Sequence, residues 1–157
     1  MFSKKTNMTT LKIGDPAPPF SAYDQDGNLH ELSAYKGKKL VLFFYPKANT
    51  PGCTTEACNL SDHYDRFVSE NYALLGVSAD AAKAQQKFKE KYHLPFPLLA
   101  DEAKNVLMAY QVWGPKKFMG KEYDGIHRTT FVINENGIIE NIITEVKTKV
   151  HASQILG

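Results

Sequence analysis

The feature that most constrains this chain is a six-residue apolar run, Leu40-Val41-Leu42-Phe43-Phe44-Tyr45, that stops at Pro46. The run has no polar alternation and is rich in β-formers, so it reads as a central strand buried on both faces. Beyond Pro46 a polar stretch leads to Thr50-Pro51, placed as N-cap and first residue of a helix expected over Pro51–Glu70. A second buried strand is expected at Ala73–Ser78 and a helix over about Ala81–Tyr92. A third strand at Phe96–Ala100 and a short helix at Ala103–Tyr110 follow. Two hairpin signals flank this unit. Asp26-Gly27 lies between Phe20–Tyr23 and Asn28–Leu32, and Asn134-Glu135-Asn136-Gly137 lies between Thr129–Ile133 and Ile138–Ile143. A short closing helix is expected from about Lys149. Strands alternating with helices imply an α/β fold: a central mixed β-sheet flanked by helices, mainly parallel, with an N-terminal β-hairpin and a later antiparallel hairpin.

A chain of 157 residues suffices for one domain with its own core and no disulfide staples. Met1–Thr10 is polar and is expected to be disordered, leaving residues 11–157 as the single domain. The formal charge of +2 is spread thinly, and its clusters, Lys36-Gly37-Lys38-Lys39 and Lys116-Lys117, are short enough to be solvated turns. This leaves no footprint for nucleic acid or a membrane surface. No stretch has the length and apolarity of a membrane span. Two lysines near the start are followed by no apolar block, so a signal peptide is not expected and the cytoplasm is the expected location.

The chain has two cysteines, Cys53 and Cys58. A structural disulfide closing so short a loop would constrain the unfolded chain little, and a reducing compartment keeps such a pair as thiols. Chemistry explains them better than architecture. Cys53 falls in the first turn of the expected helix, at the carboxyl end of a buried strand, where open α/β sheets place their sites. Unpaired backbone N–H groups and the helix dipole favour a thiolate there. The alternative is that Cys53 is simply a small buried residue. The Pro51-Gly52 approach and the second cysteine speak against it.

The segment Pro46-x-x-x-Thr50-x-x-Cys53 matches the active-site pattern of peroxiredoxins. The chain from about Leu11 to Ile143 resembles the bacterioferritin-comigratory (Q-type) group of that family. The resemblance includes Thr50-Pro51-Gly52-Cys53-Thr54, Cys58 five residues on, Val112-Trp113-Gly114, Phe118-Met119-Gly120-Lys121 and Tyr123-Asp124-Gly125-Ile126-His127-Arg128. It implies a thioredoxin-like fold and a thiol peroxidase acting on hydrogen peroxide and organic hydroperoxides. By the same resemblance Cys53 is the peroxidatic cysteine. Thr50, Arg128 and the Cys53 N–H bind the peroxide beside Gly52, and Pro46 shields the site. Cys58 stands where many Q-type members carry the resolving cysteine, which implies an intramolecular disulfide reduced by thioredoxin or another dithiol. The chain has no cysteine after Cys58, so resolution through a C-terminal cysteine of a second subunit is closed to it. A monomer or weak homodimer is the expected state.

Supporting residues have plainer alternatives. Thr50 alone is an N-cap, and Arg128 at a strand start is ordinarily a solvated edge charge. Glu56, one turn after Cys53, disfavours a thiolate by itself and is expected either to orient Arg128 or to face solvent. Tyr45 and Trp113 are expected as core or site wall. Cys53, Cys58 and His63 are spaced five apart and diverge around one helix, so with His127 they make a poor zinc set, and no metal or cofactor is expected.

Thiolate formation alone cannot make a good peroxidase. A thiol of pKa about 8.5 is roughly 3% thiolate at neutral pH, and lowering the pKa to about 6 gains near 30-fold. Nucleophilicity falls with a Brønsted slope of about 0.4–0.5, which takes back roughly tenfold. The larger contribution must come from donors aimed at the peroxide oxygens as charge moves onto the leaving oxygen. Two other functions fit the same fold: a dithiol oxidoreductase of thioredoxin type and a non-enzymatic binding or chaperone module. The first lacks its usual Cys-x-x-Cys spacing and gives Thr50 and Arg128 no role.

Overall fold

The computed structural model describes residues 9–157. Of the start expected to be disordered, residues 1–8 lie outside the described residues, and Thr10 donates to Gln111 Oε1 from both its N–H and its hydroxyl.

An N-terminal hairpin pairs β1 (Ser21–Tyr23) with β2 (Leu29–Glu31), and Gly27 takes the positive φ that its turn requires. A 3₁₀ turn (Leu32–Tyr35) leads to β3 (Lys39–Phe44). Then come α1 (Pro51–Asp62), α2 (Tyr64–Ser69), β4 (Tyr72–Ser78), α3 (Ala82–Tyr92), β5 (Leu98–Ala100) and α4 (Asn105–Ala109). A hairpin of β6 (Trp113–Phe118) and β7 (Lys121–Ile126) precedes β8 (Thr129–Ile133) and β9 (Ile139–Ile143). A 3₁₀ turn (Thr148–Val150) and α5 (His151–Leu156) close the described chain.

The central sheet has the order β5-β4-β3-β8-β9. β3 pairs parallel with β4 and antiparallel with β8, so the apolar run sits mid-sheet as expected. Its alternate residues serve opposite faces. Leu40, Leu42 and Phe44 pack with Phe20, Val106, Tyr110 and Phe131, whereas Val41, Phe43 and Tyr45 pack with Cys53, Leu60, Phe67 and Phe88. Burying each such side chain contributes about 2 kcal/mol. Gly76 of β4 is glycine for want of room, since a Cβ there would come within 2.9 Å of Phe43 and 3.0 Å of Tyr45.

Two expectations need correction. The helix foreseen over Pro51–Glu70 breaks at His63, leaving α1 and α2. His63 Nδ1 lies 2.9 Å from the carbonyl of Asn59, the acceptor an unbroken helix would give to the His63 N–H. That N–H bonds Leu60 O instead. The β6–β7 hairpin was not foreseen at all. Its residues are mostly exposed on both faces, so no period-2 pattern marks them, and Pro115 lies inside a strand. Its turn uses Met119 and Gly120, both at positive φ, and methionine is no turn signal.

Candidate active site

The loop between β3 and α1 sets the site. Asn49 takes a left-handed conformation, φ 61°, which asparagine tolerates better than most residues. The Ala48 N–H donates to Asp80 Oδ2 at 2.7 Å, as does the Ser78 hydroxyl at 2.6 Å, so the carboxyl end of β4 anchors this loop. Helix α1 then starts at Pro51, and its first ladder bond runs from Thr54 N–H to Thr50 O. The Gly52 and Cys53 N–H groups precede that bond and remain first-turn donors.

Cys53, Glu56, Ala57 and Leu60 form the buried stripe of α1, spaced i, i+3, i+4, i+7. Cys53 is only 2% exposed. Arg128, arriving just before β8, donates from Nη2 toward Cys53 Sγ at 3.4 Å and from Nη1 to Glu56 Oε1 at 2.6 Å. Glu56 is therefore not a surface residue. It is fully buried and holds one arm of the guanidinium while the other faces the thiol. Gly52 lies directly under this contact, because a Cβ there would stand 3.2 Å from Nη2.

Thr50 occupies the N-cap position but does not cap. Its hydroxyl donates to Lys47 O at 2.7 Å, which leaves Oγ1 free to accept. Pro46 is half-buried and Trp113 stands near it. Both line an open cleft of about 300 Å³ with Lys47, Asp80, Lys116 and Tyr123. The Lys104 ammonium lies 4.9 Å over the Trp113 ring. Tyr45 is fully buried and donates to Gln85 Oε1, so its hydroxyl is turned into the core. A second open cleft includes Lys116, His127, Arg128 and Thr129. A more apolar cavity of about 330 Å³ between Phe20, Leu32, Tyr35, Leu40 and Ile133 lies at the far end of β3 and holds none of these residues.

Cys58 is half-buried on the other side of α1, in a shallow depression with Thr54, Asp62 and Lys149. Burial first, and then the charge of Asp62, push its thiol up from the ordinary value. No cluster of three or more metal-ligating side chains occurs among the described residues. No helix among them is long and apolar enough to cross a membrane. Three residues escaped the sequence analysis: Asp80, Gln85 and His151. Each acts through a partner distant in the chain, and no local pattern marks them.

A thiol at a helix start, at the carboxyl end of a central strand and under a guanidinium, is the candidate site. A family model described as the AhpC/TSA family matches residues 13–142, and the chain belongs to this family. It is 45% identical over 149 residues to peroxiredoxin Bcp of Escherichia coli K12, covering 95% of this chain and 96% of that one. A cysteine-to-serine variant of PrxQ from Xylella fastidiosa superposes with a TM-score of 0.88 at 32% identity, covering 94% of each chain. A yeast mitochondrial 1-Cys peroxiredoxin superposes at 0.77 with 26% identity, covering 94% of this chain and 74% of that one. The fold is thioredoxin-like and the activity is that of a thiol peroxidase.

Proposed function

We propose that Cys53 is the peroxidatic residue, that Arg128, Thr50 and the first-turn N–H groups bind the peroxide, and that Cys58 resolves the product through an intramolecular disulfide. The observation that carries this reading is the divided guanidinium, with Nη1 fixed on Glu56 and Nη2 3.4 Å from Sγ. A hydroperoxide entering there meets complementary partners. Its O–H donates to Thr50 Oγ1, and its oxygens accept from Nη2 and from backbone N–H.

The Cys53 thiolate attacks the distal oxygen, forming an S–O bond as the O–O bond breaks. Sulfur loses two electrons, the peroxide gains them, and the leaving alkoxide or hydroxide takes a proton from solvent. Charge migrates from sulfur to the leaving oxygen along the donors, so stabilisation increases in the transition state. Cys58, as thiolate, then displaces hydroxide from the sulfenic sulfur. Its raised pKa keeps it from competing for peroxide in the first step, and its proton must leave before the second. A dithiol reductant restores both thiols by exchange. Thioredoxin is the reductant we favour, and the yeast neighbour is itself resolved via glutathione/thioredoxin systems. A cycle that ends in reduction by a dithiol belongs in a reducing compartment, and the cytoplasm is the location we favour.

The test is stopped-flow peroxide consumption with a thioredoxin system, using wild type, Cys53→Ser and Cys58→Ser, with hydrogen peroxide and an alkyl hydroperoxide as substrates. Consumption by Cys53→Ser equal to wild type would overturn the assignment.

A further inference from the structure

The two carboxylate oxygens of Glu56 are treated unequally. Oε1 accepts from Arg128, whereas Oε2 has no hydrogen-bond partner among the described residues and faces His151 Nε2 at 3.5 Å. His151 is itself fully buried. Its ring orientation is fixed by Gln154, whose Nε2 donates to Glu145 O and whose Oε1 therefore turns to His151 Nδ1 at 2.7 Å. The Lys147 N–H donates to the same Oε1. Nδ1 thus carries a hydrogen, and Nε2 of the neutral ring offers a lone pair, 2.8 Å from the Thr130 hydroxyl. Oε2 thus lies buried with no donor among the described residues, opposite a ring nitrogen whose one lone pair accepts from the Thr130 hydroxyl. Two acceptors then face each other at an unfavourable buried contact. One proton between them converts the clash into a hydrogen bond.

We propose that Glu56 Oε2 and His151 Nε2 hold one buried proton between them in the reduced enzyme, and that His151 is thereby a positioning residue for Arg128. With the proton in place Glu56 carries no net charge, and the field of Arg128 acts on the Cys53 sulfur and the incoming oxygens. Without it, a bare carboxylate beside Nη1 offsets that field and repels the thiolate. Burial pushes the Glu56 carboxyl up to about 7 against the opposing pull of Arg128, and burial pushes His151 down. Both directions place the proton on the carboxyl side of the pair. The facing groups are Arg128 and Thr130 from the β8 side, Cys53 from α1 and Gln154 from α5. Lys116 lies within the field of Arg128 and Cys53 and donates to Ile126 O. The proton is not passed to substrate, because the guanidinium between them does not deprotonate.

The proposal rests on Cys53 and Arg128 as the reacting pair, so one arm of its test reads the proton without using activity. Imidazole ¹⁵N resonances of His151 are followed in the reduced protein from about pH 5 to about pH 9. Wild type is expected to show a step near neutral pH that is lost in Glu56→Gln, whose amide has no titratable proton. A His151 signal indifferent to pH, or an unchanged step in Glu56→Gln, would overturn the proposal whatever the peroxidase assays give.

The second arm is the pH profile of Cys53 oxidation. The wild-type rate constant is expected to fall several-fold as the proton leaves, and His151→Leu should move the midpoint of that fall. A purely structural role would lower the rate alike at every pH, and an unmoved midpoint would contradict the proposal. If His151→Leu fails to fold, His151→Gln, which places a fixed amide in the same pocket, carries this arm with the same expected result.

Discussion

Cys53 and Cys58 lie five residues apart on one helix, yet they occupy different chemical worlds. Cys53 belongs to the buried stripe, sits where the helix still has unpaired N–H groups, and faces a cation. Cys58 is rotated off that stripe and half exposed, and the charge that acts on its thiol is the carboxylate of Asp62. The difference teaches that helical phase, more than residue type, divides the labour. A thiol at the Cys58 position meets neither Arg128 nor the first-turn donors.

The largest effect expected from breaking this asymmetry is loss of the reaction. Cys53→Ser should abolish peroxide reduction, whereas Cys58→Ser should keep the single-turnover oxidation and lose turnover with dithiol reductants. Stopped-flow oxidation and steady-state assays on both variants check this, and the opposite pattern would exchange the two roles.

Arg128→Met comes next. Loss of one transition-state donor in a preorganised site costs about 10²–10³ in rate. Measuring thiolate titration and the second-order peroxide rate on the same variant separates the two possible causes. A loss wholly explained by thiolate fraction would refute the transition-state role of Arg128.

Glu56→Gln tests the buried acid that distinguishes the Cys53 end. A carboxyl raised in the folded state binds a proton that the unfolded chain has released, so its contribution to stability falls as pH rises from about 4.5 to about 7. The amount is at most about 3 kcal/mol. Relative to wild type, Glu56→Gln should therefore gain stability over that window in urea titrations, and a flat difference would mean that Glu56 is not raised.

Much of this was legible in the sequence because it is local. The apolar run fixed β3, the Asp26-Gly27 turn marked the first hairpin, and Thr50-Pro51 marked the start of α1 close to its position in the structure. The pairing of Arg128 with Cys53 came from resemblance alone, since nothing in the composition of the β8 approach distinguishes a site arginine from an edge charge. The burial of Glu56 was undecided because one helix face cannot be assigned without knowing what packs against it. Thr50 shows how a correct position can carry a wrong bond: a residue at the N-cap was read as capping, but the left-handed Asn49 turns the loop so that the Lys47 carbonyl takes the hydroxyl. His151 gave no signal, because its partners, Glu56 and Thr130, are distant in sequence.

The central claim is that the two environments can be joined only by dismantling the helix that separates them. On an ideal α-helix, residues five apart are turned by about 140° and their Cα atoms lie roughly 8.6 Å apart. A disulfide wants less than about 7 Å, with the Cβ vectors facing each other. Both cysteines lie within α1, so the disulfide requires part of Cys53–Leu60 to unwind. Thr54 and Thr55, weak helix formers, ease that step. Amide hydrogen exchange of α1, compared between the reduced protein and the oxidised protein with its Cys53–Cys58 bond verified by mass spectrometry, measures this directly. The account predicts that protection across this segment collapses in the oxidised form. Full protection of α1 with that disulfide present would contradict it.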